Sequence, residues 1–155
     1  YTIDQEFQKD NIQYDEIGRD ELVICVPKDH PVKQIARPST GKYPILSVSD
    51  IENETILLLK SGTRTRQVAD EILKKNHTIA AKTFVGPNLP TILGLINKGF
   101  GVSFVFEPHI ASVGHQIDIY AMEEHYVDAY FIAAYRKDTY LSNYAQDFIR
   151  RVKEL

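Results

Sequence analysis

Short apolar runs alternate with amphipathic stretches along the chain. Residues 11–27, NIQYDEIGRDELVICVP, are rich in β-branched positions, carry Gly18 midway and stop at Pro27, which predicts two short strands or one long kinked strand. A turn follows at KDHPV, and ARPSTGKYP at 36–44 is a loop by composition. Ser49 with Glu52 three residues on has capping-box spacing, so a short helix or turn is expected within 47–54. TILLL at 55–59 is a continuous apolar run between turn signals, as in a strand covered on both faces.

From Gly62 the period lengthens. Val68, Ala69, Ile72 and Leu73 recur at helical spacing, charged residues fill the other face, and Asn76 can close the end. IAAKTFV at 79–85 reads as a strand, followed by Asn88 as a cap, Pro90 in a first turn, an apolar stripe through Ile92, Leu93 and Ile96, and Gly99 as a stop. GVSFVF at 101–106, IDIYAM and AYFIAAYR at 129–136 predict further strands, and the closing stretch predicts a helix with Tyr144, Phe148 and Val152 on one face. This alternation argues for an α/β fold with a mainly parallel sheet and right-handed crossovers, with 56–59, 81–85 and 101–106 in one sheet.

Composition narrows the function. At 155 residues the chain is long enough for one sizeable core or two small lobes. A formal net charge of -3 offers no basic footprint for nucleic acid, so this chain by itself is not expected to bind DNA. No apolar run approaches the roughly 18 residues that span a bilayer, and the start has no secretory signal, which reads as cytoplasmic, or as a mature exported domain, with no membrane partner. Tyr1 at the start and a single methionine, Met122, point to a piece of a longer polypeptide. The lone Cys25 lies inside LVICVP and reads as a packed core thiol.

The five histidines lack metal-ligand spacing, and no HExxH, GxSxG or glycine-rich phosphate loop is present. An enzyme is not expected, nor a metal or other cofactor. Glu123, Glu124 and His125 read as a solvated turn. The helices starting near Gly62 and Leu89 each follow a strand, and in open α/β sheets the crevice beyond the strands' carboxyl ends receives ligands. Ser61, Gly62 and Thr63 could cradle a small anion or simply cap the helix; by a small margin the residues alone favour the cap. Arg64 and Arg66 could fork onto a carboxylate, or pair with nearby acids such as Asp70.

RDELVICVPKDHPV, with its Asp-Glu-Leu entry, strand, proline and Asp-His-Pro turn, resembles the effector-binding domain of LysR-type transcriptional regulators. SVSDIENETILLLKSGTRTRQVADEIL, TILGLINKGFGVSFVFEP and AYFIAAYRKDTYLSNYAQDFI fit the same family in order, so the resemblance covers nearly the whole chain. It implies a fold like type 2 periplasmic binding proteins, with two α/β lobes and a ligand cleft between them. The first lobe is expected to be incomplete, residues 1–21 and 108–155 forming its trailing part and 22–107 the second lobe. The implied role is sensing a small-molecule effector, a carboxylate or other anion, as part of a homo-oligomer that contacts DNA only through an absent N-terminal helix-turn-helix. The candidate effector contacts are Ser61, Gly62, Thr63, Arg64, Asn88 and Phe106. An extracytoplasmic solute-binding protein of the same fold is the alternative.

Overall fold

A computed structural model describes residues 9–110, 116–123 and 129–154. His115, Glu124 and His125 lie outside the described residues. The chain divides into two compact units, Glu21–Val127 and the pair Tyr1–Asp20 with Asp128–Leu155.

The larger unit opens with β2 (Leu22–Pro27), which follows β1 (Ile12–Asp20) directly. Five consecutive residues of β2, Leu22 to Val26, are buried, as a central strand packed on both faces requires. A four-stranded sheet runs in the order β3 (Ile45–Leu46), β7 (Ile117–Met122), β2, β6 (Ser103–Phe106). β4 (Thr55–Leu59) and β5 (Lys82–Gly86) pair in parallel as a separate two-stranded sheet, linked through α1 (Arg64–Lys75). α2 (Leu89–Asn97) then leads back towards β6. One core gathers Val23, Cys25, Leu57, Val105 and the α2 residues Ile92, Leu93 and Ile96.

Two expectations are corrected here. The sheet is not mainly parallel: β2 runs antiparallel to both β6 and β7. Parallel pairing needs a crossover long enough to return the chain, and α1 supplies one between β4 and β5. Of the segments 56–59, 81–85 and 101–106 expected in one sheet, the first two do pair as β4 and β5, but β6 lies in the four-stranded sheet. β4 and the approach to β6 meet at a single parallel bridge, Ile56 to Val102, where Leu57 N–H donates to the Val102 carbonyl at 2.7 Å and Val102 N–H to that of Thr55 at 2.9 Å. One residue later the Ser103 hydroxyl, not a backbone N–H, donates to the Leu57 carbonyl at 2.6 Å. A side chain has taken the acceptor that another ladder bond would use. Gly101 permits the approach, since a Cβ there would lie 2.2 Å from the Thr55 carbonyl oxygen.

Local signals also shifted. The turn after 46 starts at Ser47, whose N–H donates to Asp50 Oδ2 at 2.8 Å, two residues before the expected Ser49. In the Asp-His-Pro turn, Asp29 is left-handed at φ 60 and His30 Nδ1 accepts from the Val32 N–H at 3.3 Å. β7, which follows residue 107, pairs with β2 and so lies in the larger unit.

The smaller unit is an antiparallel ribbon of β1 and β8 (Ala129–Arg136) with α3 (Asn143–Lys153) packed over β1. Tyr144 and Phe148 are 89% and 65% exposed, so the aromatic stripe expected on α3 does not form a core face. Instead Leu141 and Ile149 line an open cavity of about 340 Å³ with Asp15 and Tyr135.

Candidate functional site

The register of β4 and β5 decides where the candidate residues go. Leu59 is paired with Gly86, so the two parallel strands end side by side, and Lys60 N–H donates to the Gly86 carbonyl at 3.2 Å. Ser61 and Gly62 follow one strand end and Asn88 the other. β6 runs parallel to β4 through the Ile56–Val102 bridge, so its last residue, Phe106, belongs to the same end of the unit. Ser61, Gly62, Thr63, Arg64, Asn88 and Phe106 are therefore gathered at the carboxyl ends of β4, β5 and β6.

Gly62, Thr63 and Asn88 each have a local job. Gly62 sits at φ +90, a conformation in which a Cβ is strained, although the space around it is open. Thr63 is the N-cap of α1: its Oγ1 accepts from Arg66 N–H at 3.3 Å and donates to the Lys60 carbonyl at 3.2 Å. Asn88 caps α2, its Oδ1 accepting from the backbone N–H and the hydroxyl of Thr91 at 3.0 and 2.9 Å. The capping reading of Thr63 thus holds, and its hydroxyl hydrogen is engaged by Lys60. A cap satisfies only part of the leading N–H groups of a helix, and both helix starts carry the positive dipole end. Ser61, Gly62 and Asn88 are exposed, Thr63 and Arg64 half-buried, and Phe106 is buried in the sheet opposite Leu22.

Arg66 is a clamp. Its Nε bonds both Asp70 oxygens at 2.8 and 2.9 Å and its Nη1 donates to the Leu59 carbonyl at 3.1 Å, tying the first turns of α1 to the end of β4. The i,i+4 spacing to Asp70 is the signal that made this pair legible.

A cluster beside Phe106 was not legible. Lys42 and Tyr43 both donate to Glu107 Oε1, Tyr43 at 2.8 Å, and Glu107 N–H donates to the Glu21 carbonyl at 2.9 Å. The Lys42 ammonium, then the Tyr43 hydroxyl, hold the Glu107 carboxyl below the usual carboxylate range. These partners are 65 and 64 residues apart, beyond any periodicity. Among the described residues no group of three or more His, Cys, Asp or Glu is placed to hold a metal ion, and no helix is long and apolar enough to cross a membrane.

The LysR substrate binding domain model matches residues 2–155. The HTH-type transcriptional regulator SoxR of Arthrobacter sp. (strain TE1826) is 26% identical over 144 residues, covering 92% of this chain and 44% of that protein. The BenM effector binding domain with its effector benzoate superposes with a TM-score of 0.74 at 18% identity, over 99% of this chain and 67% of that one. The Synechocystis PCC6803 CcmR regulatory domain in complex with 2-PG gives 0.73 at 18% identity, over 99% and 70%. This chain spans less than half the length of the regulator SoxR and about two thirds of the solved domains. A family match over nearly every residue, on a fold shared with two effector-binding domains, identifies the chain as a member of the LysR substrate-binding domain family.

Proposed function

We propose that this chain senses a small anionic effector for a cytoplasmic LysR-type regulator, the effector binding at the turn of Ser61 to Thr63 and altering how a helix-turn-helix outside this chain holds DNA. The Glu21–Val127 unit stands for the second lobe and the other unit for the trailing part of the first. One observation carries the reading: two helix starts and the glycine turn of Gly62 converge at the carboxyl ends of parallel strands that end in register. Aligned N–H groups favour a negative ligand there. BenM's benzoate and CcmR's 2-PG are small molecules held by domains of the same fold, which supports a small effector here. The family match favours the regulator over a solute-binding protein.

The experiment is a thermal-shift titration of the full regulator with benzoate, shikimate, phosphate and sulfate, repeated on Ser61→Ala and Thr63→Ala. Thr63→Ala should lower the ligand-free stability by about 1 kcal/mol through the lost cap. Ser61→Ala should leave that baseline in place and reduce the anion-induced shift. A shift from none of these anions, or one that survives Ser61→Ala unchanged, overturns the anionic site at this turn.

A further inference from the structure

The larger unit carries an open cavity of about 380 Å³ that shares no lining residue with the turn of Ser61 to Thr63. Its wall includes Lys33, Ala36, Pro38, Pro44 and the β7 residues Asp118 and Tyr120, all of that unit. Asp118 and Tyr120 stand two apart on a strand, so their side chains leave the same face of the sheet. Tyr120 is only 3% exposed, yet its hydroxyl makes no hydrogen bond with any described residue. A buried phenol usually finds a partner. Burial and, after it, the negative charge of Asp118 hold that hydroxyl above the ordinary tyrosine value, so it is a neutral O–H lying in the field of the carboxylate. Asp118 accepts from the Asp29 N–H at 3.2 Å through Oδ2, and no described residue donates to its Oδ1.

We propose that this cavity is a second small-molecule site, which takes an organic monocation: a protonated amine carried on a compact apolar ring. Charge selects the cation. Lys33 Nζ is engaged by Asp29 Oδ1 at 3.4 Å, so one ammonium stands against the two carboxylates of Asp29 and Asp118, and a single added positive charge balances the group. An ammonium has three donors and no acceptor, and it can reach the Asp118 Oδ1 and the Tyr120 oxygen together, the two acceptors that the protein itself leaves open. The rings of Pro38 and Pro44, with Ala36, offer an apolar wall to the rest of the molecule. The volume lies at the lower end of ligand pockets, which run roughly 300–1,000 Å³, and suits one ring with a short arm. The same carboxylates disfavour an anion, which separates this site chemically from the helix starts of α1 and α2.

The test is calorimetric titration of the full regulator at pH 7 with benzylamine, which is protonated there, and with benzyl alcohol, its uncharged counterpart. Benzylamine is expected to bind saturably and benzyl alcohol about tenfold more weakly or less. Asp118→Asn keeps an oxygen for the Asp29 N–H but removes the charge, and should weaken benzylamine about ten- to a hundredfold. Tyr120→Phe should weaken it about three- to tenfold, while its melting temperature without ligand matches or exceeds the parent's because no protein hydrogen bond is lost. Ser61→Ala should leave the benzylamine affinity unchanged. The proposal is overturned if benzylamine does not bind, binds no tighter than benzyl alcohol, or binds Asp118→Asn as tightly as the parent. Loss of benzylamine binding in Ser61→Ala also overturns it, since the amine would then sit at the other turn. If Asp118→Asn fails to fold, Tyr120→Phe still decides: an unchanged affinity, or a lowered melting temperature that reveals a structural partner for the hydroxyl, sinks the site.

Discussion

Cys25 is fully buried, and desolvation of the thiolate pushes its thiol from an ordinary value of 9.0 up to about 12. The folded chain therefore keeps the proton where the unfolded chain releases it. The corresponding stability is fully present below about pH 9 and is lost as pH rises towards about 12. At pH 10 the loss is about 1.4 kcal/mol, one unit above the unfolded value. Melting temperatures at pH 8 and pH 10 should fall further apart for the parent chain than for Cys25→Ala; equal falls would refute the assignment. Position inside LVICVP was sufficient to read this residue as core. Thr63 was harder, because a hydroxyl before a helix suits both a cap and a ligand wall. Only coordinates reveal that its hydrogen is engaged by Lys60 while its oxygen accepts from Arg66.

Among the elements, α1, α2 and β2 were legible because their apolar periods match the faces they bury. The closing helix was read on the wrong stripe. Tyr144 and Phe148 follow a helical period, but α3 has only a two-stranded ribbon beneath it, and it is Ile149, with Leu141 from the segment before the helix, that lines the cavity beside Asp15 and Tyr135. The relation of β4 to β6 was misjudged for a different reason: whether neighbouring strands continue a ladder depends on which group reaches each carbonyl. Ser103 carries that junction, being buried and bonded across 46 residues to Leu57. Ser103→Ala should cost about 1 kcal/mol, and up to about 3 if the Leu57 carbonyl is left unsatisfied. Each kcal/mol should appear as a drop of roughly 2–4 °C in melting temperature for a chain of this length. No drop would mean that the backbone bonds at the Ile56–Val102 bridge suffice to hold the junction.

At the scale of the molecule, the described residues divide unevenly. Every buried apolar side chain lies between Leu22 and Met122, within the larger unit. Local stability follows buried apolar contact, so the slowest-exchanging amides are expected in β2, β4 and β6, with those of β1 and α3 exchanging earlier. Mass spectrometry of amide exchange would contradict this if β1 or α3 proved the most protected. The sequence by itself determined the α/β class, the family and the helix starts near Gly62 and at Asn88, because these rest on local period, capping chemistry and ordered motifs. Only the tertiary structure decided strand direction, the division into sheets and the Lys42–Tyr43–Glu107 cluster. The physical reason is range. A helix closes its bonds within four residues, whereas a strand's direction and edges are fixed by partners that can lie more than a hundred residues away, as Ile12 and Arg136 do.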